Sequence, residues 1–360
     1  MNEELQEETH RLELSWARHA PNMLREYLVA GVEDPRINLQ SLLSRHFLIR
    51  LVSGGRHETL MHAEYLFAAA MNQVLRLGEN LGEAGDVAEV VHALERGADQ
   101  WEGGMLSRFL CRLWKELSSN EPPHGNYVKV ALETMDFSQG RARLSDQVLG
   151  TYQDLWYARM QAEPPKQAWR LRVLEPACGS ANDYRSLKAF GIAGLIDYTG
   201  FDLCAANIAN ARSLFPDVRF EVGNVFSIPV EDGAFDACFL HDLFEHLSGM
   251  GIEQAVGELC RVTRQAIHAG CFNVGDLAQH HIEPYEQYHW NTLSPGHLER
   301  AFSHHGFSTR TIHIGTFLRD TLGCERTHNP NATSFELWRR ASGSMRVESS
   351  LRFRHWGRGV

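Results

Sequence analysis

Apolar side chains recur at spacings of three and four through the first 140 or so residues, the period of helices buried by one face. The segments Asn38–Val52, Glu58–Gly82, Asp86–Gly97 and Gly103–Asn120 each carry this pattern. Breaks at Gly54-Gly55, Gly103-Gly104 and Pro122-Pro123 separate them, so this half reads as a string of helices. Its histidines (His46, His57, His62 and His92) read as helix-face or core residues rather than metal ligands.

After about residue 165 the pattern changes. Short apolar runs now alternate with helical periodicity: strand "RLRVLEPA" from Arg170, helix "ANDYRSLKAFG", strand "DYTGFDL", helix "AANIANARSLF" and strand "VRFEVGNVF". There follow strand "FDACFLHDL", helix "FEHLSGMGIEQAVGELCRVT", strand "QAIHAGCFNV", helix "SPGHLERAFSHHG" and two late strands, "STRTIHIGTF" and "ATSFELWRR". Such alternation predicts a parallel, doubly wound α/β sheet covered by helices on both faces. Ligands of such sheets bind outside the carboxyl ends of the strands, where the strand order reverses.

Composition narrows the class. With 43% hydrophobic and 22% charged residues the chain is ordinary for a globular protein, and its net charge of −10 argues against binding along a nucleic acid backbone. The basic residues from Arg339 onward read as a solvated terminal tail. Seven scattered cysteines without a CxxC pair fit neither a zinc cage nor a disulfide framework. The acidic start "MNEELQEETHRLEL" has no apolar core and so is not a signal peptide, and no window is apolar enough to cross a bilayer. A cytoplasmic protein is the expectation.

The stretch "RVLEPACGSANDY", Arg172–Tyr184, lies at the predicted end of the first strand. It lacks the G-x-G-x-x-G that a dinucleotide pyrophosphate requires, which weakens a nicotinamide oxidoreductase reading. Gly179 supplies a tight turn, while Ala177, Ser180 and Ala181 keep the bulk low, as suits a smaller ligand without phosphate.

On these residues, 165–338 resemble the class I S-adenosylmethionine-dependent methyltransferases, of the group acting on small molecules. In that family the first strand ends in an acid followed by three alternating glycines. Glu175 and Gly179 match, and Ala177 and Ala181 stand where glycines are usual. The resemblance implies a Rossmann-like, doubly wound, seven-stranded methyltransferase sheet with S-adenosylmethionine as cofactor. It implies that Glu175 and the loop surround the methionine end, and that Asp202, followed by Leu203, receives the ribose hydroxyls. Asn224 and the Val225 N–H would meet the adenine. The segment "FDACFLHDLFEHL" resembles the family's "FD…EHL", with Asp236, Glu245 and His246 in register and Leu240 and His241 beside the methionine part. Asn182 is a further cofactor candidate whose other reading, with Asp183, is as a helix N-cap. "TYQDLWYARM" resembles the pre-core helix that closes over the cofactor, which makes Tyr152 a candidate and Trp156 a core residue.

Methyl transfer from a sulfonium is an in-line displacement that asks for alignment and, for a hydroxyl or ammonium acceptor, a base. His241, then His289 and His281, are the candidate bases, since histidine titrates near neutrality; each is also readable as a satisfied structural histidine. The aromatic, histidine-rich insertion Asn273–Pro295 reads as a wall over an acceptor pocket. Convergence of Asp242, Glu245, His246 and His281 on a cation such as Mg²⁺ is the alternative to a metal-free site. "EPACG" is similar to adenine-N6 methyltransferases of DNA, but their Pro-Pro-aromatic element is replaced here by "LHDLF".

The expected organisation is a helical domain over 1–145, for substrate access or homodimerisation, a methyltransferase domain over 146–340 and a basic tail over 341–360. The expected activity is methylation of an oxygen or nitrogen on a small molecule, without nucleic acid or membrane partners. The alternative is a non-catalytic cofactor-binding protein whose helical half binds a partner.

Overall fold

The computed structural model describes residues 2–16, 31–81, 87–117, 126–137, 142–163, 170–325 and 329–340. The basic tail, the Pro122-Pro123 break and the Gly82 helix end expected from sequence lie outside them.

The apolar runs of the C-terminal half form one seven-stranded sheet: β1 (Leu171–Pro176), β2 (Ile196–Asp202), β3 (Arg219–Val222), β4 (Phe235–His241), β5 (Thr263–Cys271), β6 (Phe307–His313) and β7 (Thr333–Arg339). Their order is β6-β7-β5-β4-β1-β2-β3. β1 lies between β4 and β2, all parallel, so the order reverses at β1 and its carboxyl end faces the ligand crevice. The sheet is mixed rather than all parallel, because β7 runs against both β5 and β6. β3 is shorter than its apolar pattern, since Gly223 and Asn224 turn the chain away.

Eleven helices are labelled among the described residues. Seven precede the sheet: α1 (Glu3–Trp16), α2 (Leu39–Ser53), α3 (Glu58–Leu81), α4 (Val87–Arg96), α5 (Arg108–Leu117), α6 (Tyr127–Glu133) and α7 (Asp146–Ala162). Four are wound between strands: α8 (Asn182–Ala189), α9 (Ala205–Leu214), α10 (Gly249–Val262) and α11 (Pro295–His304). The segment read as helical from Gly103 starts instead as a two-residue ladder, Gln100–Trp101 against Gly104–Met105. A glycine pair with positive-φ capacity favours a turn over a helix start, and Gly104 has φ 154°.

The helical half is packed on the sheet rather than tethered beside it. One buried cluster runs from Leu42, Phe47 and Phe67 to Val173, Phe239 and Ala266. Phe47 of α2 lies 5.5 Å from the His268 ring on β5 and 5.6 Å from Trp338 on β7. α1 joins the opposite face, burying Leu5 and Leu12 with Phe201, Phe226 and Ile252. No described helix is long and apolar enough to cross a membrane.

Candidate functional site

The chain leaves β1 through a loop in which every second residue is left-handed: Ala177 (φ 55°), Gly179 (φ 53°) and Ala181 (φ 66°). The three positions are those where the sequence comparison with the methyltransferases expects glycine. Alanine adopts this conformation at a cost of roughly 1 kcal/mol per residue, so surrounding contacts must hold the loop. They are numerous. Asp202 at the end of β2 accepts Gly179 N–H on one oxygen (2.9 Å) and Cys204 N–H and Asn207 Nδ2 on the other (2.8 and 3.2 Å). Ser180 Oγ donates to Asn207 Oδ1 and accepts from Asn210 Nδ2, each at 3.1 Å. A Cβ built on Gly179 would meet nothing within 4 Å, so the outer side of the turn is open space.

Beneath the loop Glu175 is buried and accepts a hydrogen bond from the Tyr198 hydroxyl. Burial, with Asp183 and Asp202 near, holds its carboxyl well above the usual carboxylate range. Burial raises Asp202 as well, against its own hydrogen bonds.

Beside the loop, β4 delivers His241 and Asp242. His241 Nδ1 lies 3.0 Å from Asp183 Oδ2 in the first turn of α8. Burial alone would lower the imidazole, but Asp183 more than offsets it and the net shift is upward. Asp183 moves the opposite way: burial works to raise it, and His241 and Arg45 bring it below its ordinary value. A neutral His241 donating from Nδ1 leaves Nε2 as the acceptor, and this buried atom has no partner among the described residues. The ring lies against Gly270 on β5, where a Cβ would come within 2.4 Å of His241 Cδ2. Below it His268 is wholly buried with its ring centroid 5.8 Å away, and burial holds that imidazole neutral.

Asp242 is left-handed (φ 53°), and Glu33 and Gln40 of the N-terminal half lie near its carboxylate. Glu245, fully buried one turn on, accepts Phe272 N–H on Oε1 at 2.6 Å. Asp242 Oδ1 and Glu245 Oε2 are buried without a partner among the described residues. Burial raises both carboxyls; the charge of Asp242 adds to the shift of Glu245, and Asp183 and Glu33 add to that of Asp242 against the pull of His241.

The insertion expected as a wall folds into a short hairpin, Pro284–Tyr285 against Tyr288–His289. Its Trp290 and Tyr288 pack around His246, at 5.7 and 5.4 Å, and Phe272 lies 5.1 Å from Trp290. Asn291, wholly buried, donates to Phe244 and Leu247 carbonyls at 3.2 and 2.6 Å and pins the hairpin to the turn after β4.

The structure therefore brings together Glu175, Ala177, Gly179, Asn182, Asp202 and His241 around the carboxyl ends of β1, β2 and β4. Leu240 is buried in β4, and Leu203 is partly buried against the second core cluster. Asn224 follows β3, accepting Phe226 N–H at 2.8 Å and donating to Thr9 of α1 at 2.9 Å; Val225 is buried there. Tyr152 is set in the helical core, its ring 4.8 Å from Phe67. His289 is in the hairpin, and its carbonyl accepts from His246 Nδ1 at 3.2 Å. His281 is exposed, with Glu283 as its neighbour at 3.9 Å. No group of three or more His, Cys, Asp or Glu among the described residues is arranged to hold a metal. The N-cap of α8 is Ala181 without a side-chain bond, so neither Asn182 nor Asp183 caps that helix; Asp183 turns to His241 instead.

Sequence reading missed Asp183 as the partner of His241, Glu33 and Gln40 beside Asp242, and the whole of α1. In α1, Glu8 is buried and accepts from Ser248 N–H at 2.6 Å and Ser248 Oγ at 2.5 Å. An acid at the wrong-looking place in an amphipathic pattern, Leu5 and Leu12 flanking Glu8, is the one signal available for it.

Residues 174–266 match the family model described as a methyltransferase domain. Norajmaline N-methyltransferase of Rauvolfia serpentina is 28% identical over 153 residues, covering 41% of this chain and 49% of that protein. This chain thus spans about half the length of that curated relative. Among solved structures, the [4+2]-cyclase SpnF aligns at 16% identity and a TM-score of 0.37, covering 55% of this chain and 82% of its own. A 1,6-didemethyltoxoflavin-N1-methyltransferase of Burkholderia thailandensis, solved with 1,6-didemethyltoxoflavin and S-adenosylhomocysteine, aligns at 13% identity and a TM-score of 0.37, covering 52% and 77%. Likeness at that level bears on neither acceptor nor chemistry.

Proposed function

With a class I S-adenosylmethionine-dependent methyltransferase domain in its C-terminal half, the chain is, we propose, an enzyme that methylates an oxygen or nitrogen of a small molecule. The carrying observation is the left-handed loop 177–181 held by Asp202, with the His241–Asp183 pair beside it. The residues present fit the cofactor: open space lies over Gly179, and Asp202 uses three of about four acceptor positions internally, leaving capacity for a ribose hydroxyl. Bound S-adenosylmethionine would supply a methyl carbon on a positively charged sulfur.

The loop backbone and Glu175 would line the methionine end, while Asn224 and Val225 would meet the adenine. His241 Nε2 takes the acceptor's proton, and Asp183 holds the tautomer and stabilises the imidazolium that forms. With that proton removed, the acceptor's lone pair would be free for the methyl group that the bound cofactor would supply, the loop 177–181 and Asp202 holding the cofactor beside His241. His289 and the aromatic hairpin form the wall that keeps water out; His281, exposed, is a weaker candidate for the base. The curated relative's name, an N-methyltransferase, favours nitrogen. The 1–145 helices serve substrate access or a homodimer contact.

Incubation of the full chain with S-adenosylmethionine and a fractionated small-molecule pool tests this. The expected result is S-adenosylhomocysteine together with a product heavier by one methylene, both lost in Asp202→Ala. Binding of cofactor without turnover across the pool would favour the non-catalytic reading instead.

A further inference from the structure

We propose that the acceptor is a cationic amine, its ammonium group held between Asp242 and Glu245 at the carboxyl end of β4; this rests on the methyltransferase reading above. Three buried acceptors lie there without partners among the described residues, Asp242 Oδ1, Glu245 Oε2 and His241 Nε2, beside a single unpaired donor, Gln40 Nε2, which can serve one of them. All three accept once a bound cation keeps Asp242 and Glu245 ionised, against the upward shift that burial gives them, and His241 is neutral. A buried acceptor left unmade costs roughly 1–3 kcal/mol, and more when charged, so with Gln40 serving one acceptor the other two still call for a ligand with several donors.

The charge of the setting points the same way. Asp183 lies against His241, and Glu33 faces Asp242. Arg45, the buried cation near Asp183, is already engaged by Glu64 at 3.0 Å. A neutral hydroxyl would satisfy one of these acceptors, whereas an ammonium supplies several N–H donors and the missing positive charge. The aromatic side chains nearby suit a cation too. Phe272, Tyr288 and Trp290 gather beside Glu245 through His246 and Asn291, and aromatic faces attract positive charge.

The chemistry then balances without a further reactant. Asp242, Glu245 and His241 hold the ammonium, and one proton passes to His241 Nε2. The neutral nitrogen forms the new N–C bond as the S–C bond breaks and its pair stays on sulfur. The product leaves as an N-methylammonium, still charged. Ionised Asp242 and Glu245 therefore bind the substrate and the charged product, while the proton's departure is carried by His241, whose imidazolium Asp183 stabilises.

The test is calorimetric titration of the full chain, saturated with S-adenosylhomocysteine, with 2-phenylethylamine and with its neutral counterpart 2-phenylethanol. The amine is expected to bind roughly tenfold or more tightly than the alcohol, the worth of one charge-assisted hydrogen bond. Asp242→Asn and Glu245→Gln, near-isosteric and compatible with left-handed Asn and a buried amide, should each erase that preference. Both should leave S-adenosylhomocysteine affinity within about twofold, a change below 0.5 kcal/mol. Equal affinity for amine and alcohol, or no binding of either, overturns the proposal, and so does a preference that survives both substitutions. Loss of S-adenosylhomocysteine affinity in these variants overturns it as well, since the carboxylates would then face the cofactor. Failure of the wild type to bind S-adenosylhomocysteine at all would instead sink the methyltransferase reading.

Discussion

Two buried glutamates in this chain meet opposite fates. Glu64, on α3, is fully buried and receives Arg45 at 3.0 Å, His46 at 2.5 Å and Trp156 Nε1 at 2.5 Å. Although burial works to raise it, these partners bring its carboxyl below the ordinary value. Glu245, equally buried after β4, has one oxygen on the backbone N–H groups of Phe272 and Asn273 and the other on nothing described. Its carboxyl is raised. The first arrangement is complete within the protein and ties α2, α3 and α7 together. The second leaves one oxygen without a partner among the described residues, the place where the proposed ammonium would sit. Degree of satisfaction, not burial, separates a structural carboxylate from a ligand-binding one.

The largest effect should come from the finished cluster. Glu64→Gln leaves the Arg45 guanidinium buried without its counter-charge and should cost about 3–5 kcal/mol in denaturant unfolding. A loss below about 1 kcal/mol would mean that the cluster is no more structural than a surface ion pair. Because Arg45 also lies near Asp183, the same variant should shift the His241 titration as it loosens the fold.

A far smaller effect is expected in the loop. Ala177 is exposed and left-handed, so Ala177→Gly removes strain of roughly 1 kcal/mol while adding about 0.4–1 kcal/mol of unfolded-chain entropy. The net change in midpoint stability should lie within about 0.5 kcal/mol, and a destabilisation above 1 kcal/mol would show that the alanine methyl makes a contact of its own.

How far the sequence reached follows the same division. The acid-and-small-residue loop, Asp202 at the end of β2 and the "FDACFLHDL" strand were legible, because each is a local string whose chemistry depends on its immediate neighbours. The left-handed alanines were legible as positions, since they replace glycines in a known pattern. What sequence could not supply was pairing at a distance. Asp183 and His241 are 58 residues apart, and Asn224 and Thr9 are 215 apart. α2 was legible as a helix, yet an apolar face does not say that its cover is β5 and β7. The reversal of β7 was likewise hidden, because apolar runs carry no direction.

The two carboxyls also titrate with opposite sign. Glu64, lowered in the folded state, adds stability above its unfolded value and loses it as pH falls through the folded one. Glu245, raised, adds stability that is full below its unfolded value and is lost as pH rises through the folded one. The most direct measurement is a carbon-13 NMR titration of glutamate carboxyl signals, assigned with Glu64→Gln and Glu245→Gln. Glu245 should titrate late, its midpoint pushed up to about 8, and move downward when 2-phenylethylamine is added, while Glu64 stays ionised from neutral pH upward. A Glu245 signal that titrates in the ordinary carboxylate range and ignores the amine would contradict the distinction between the two sites.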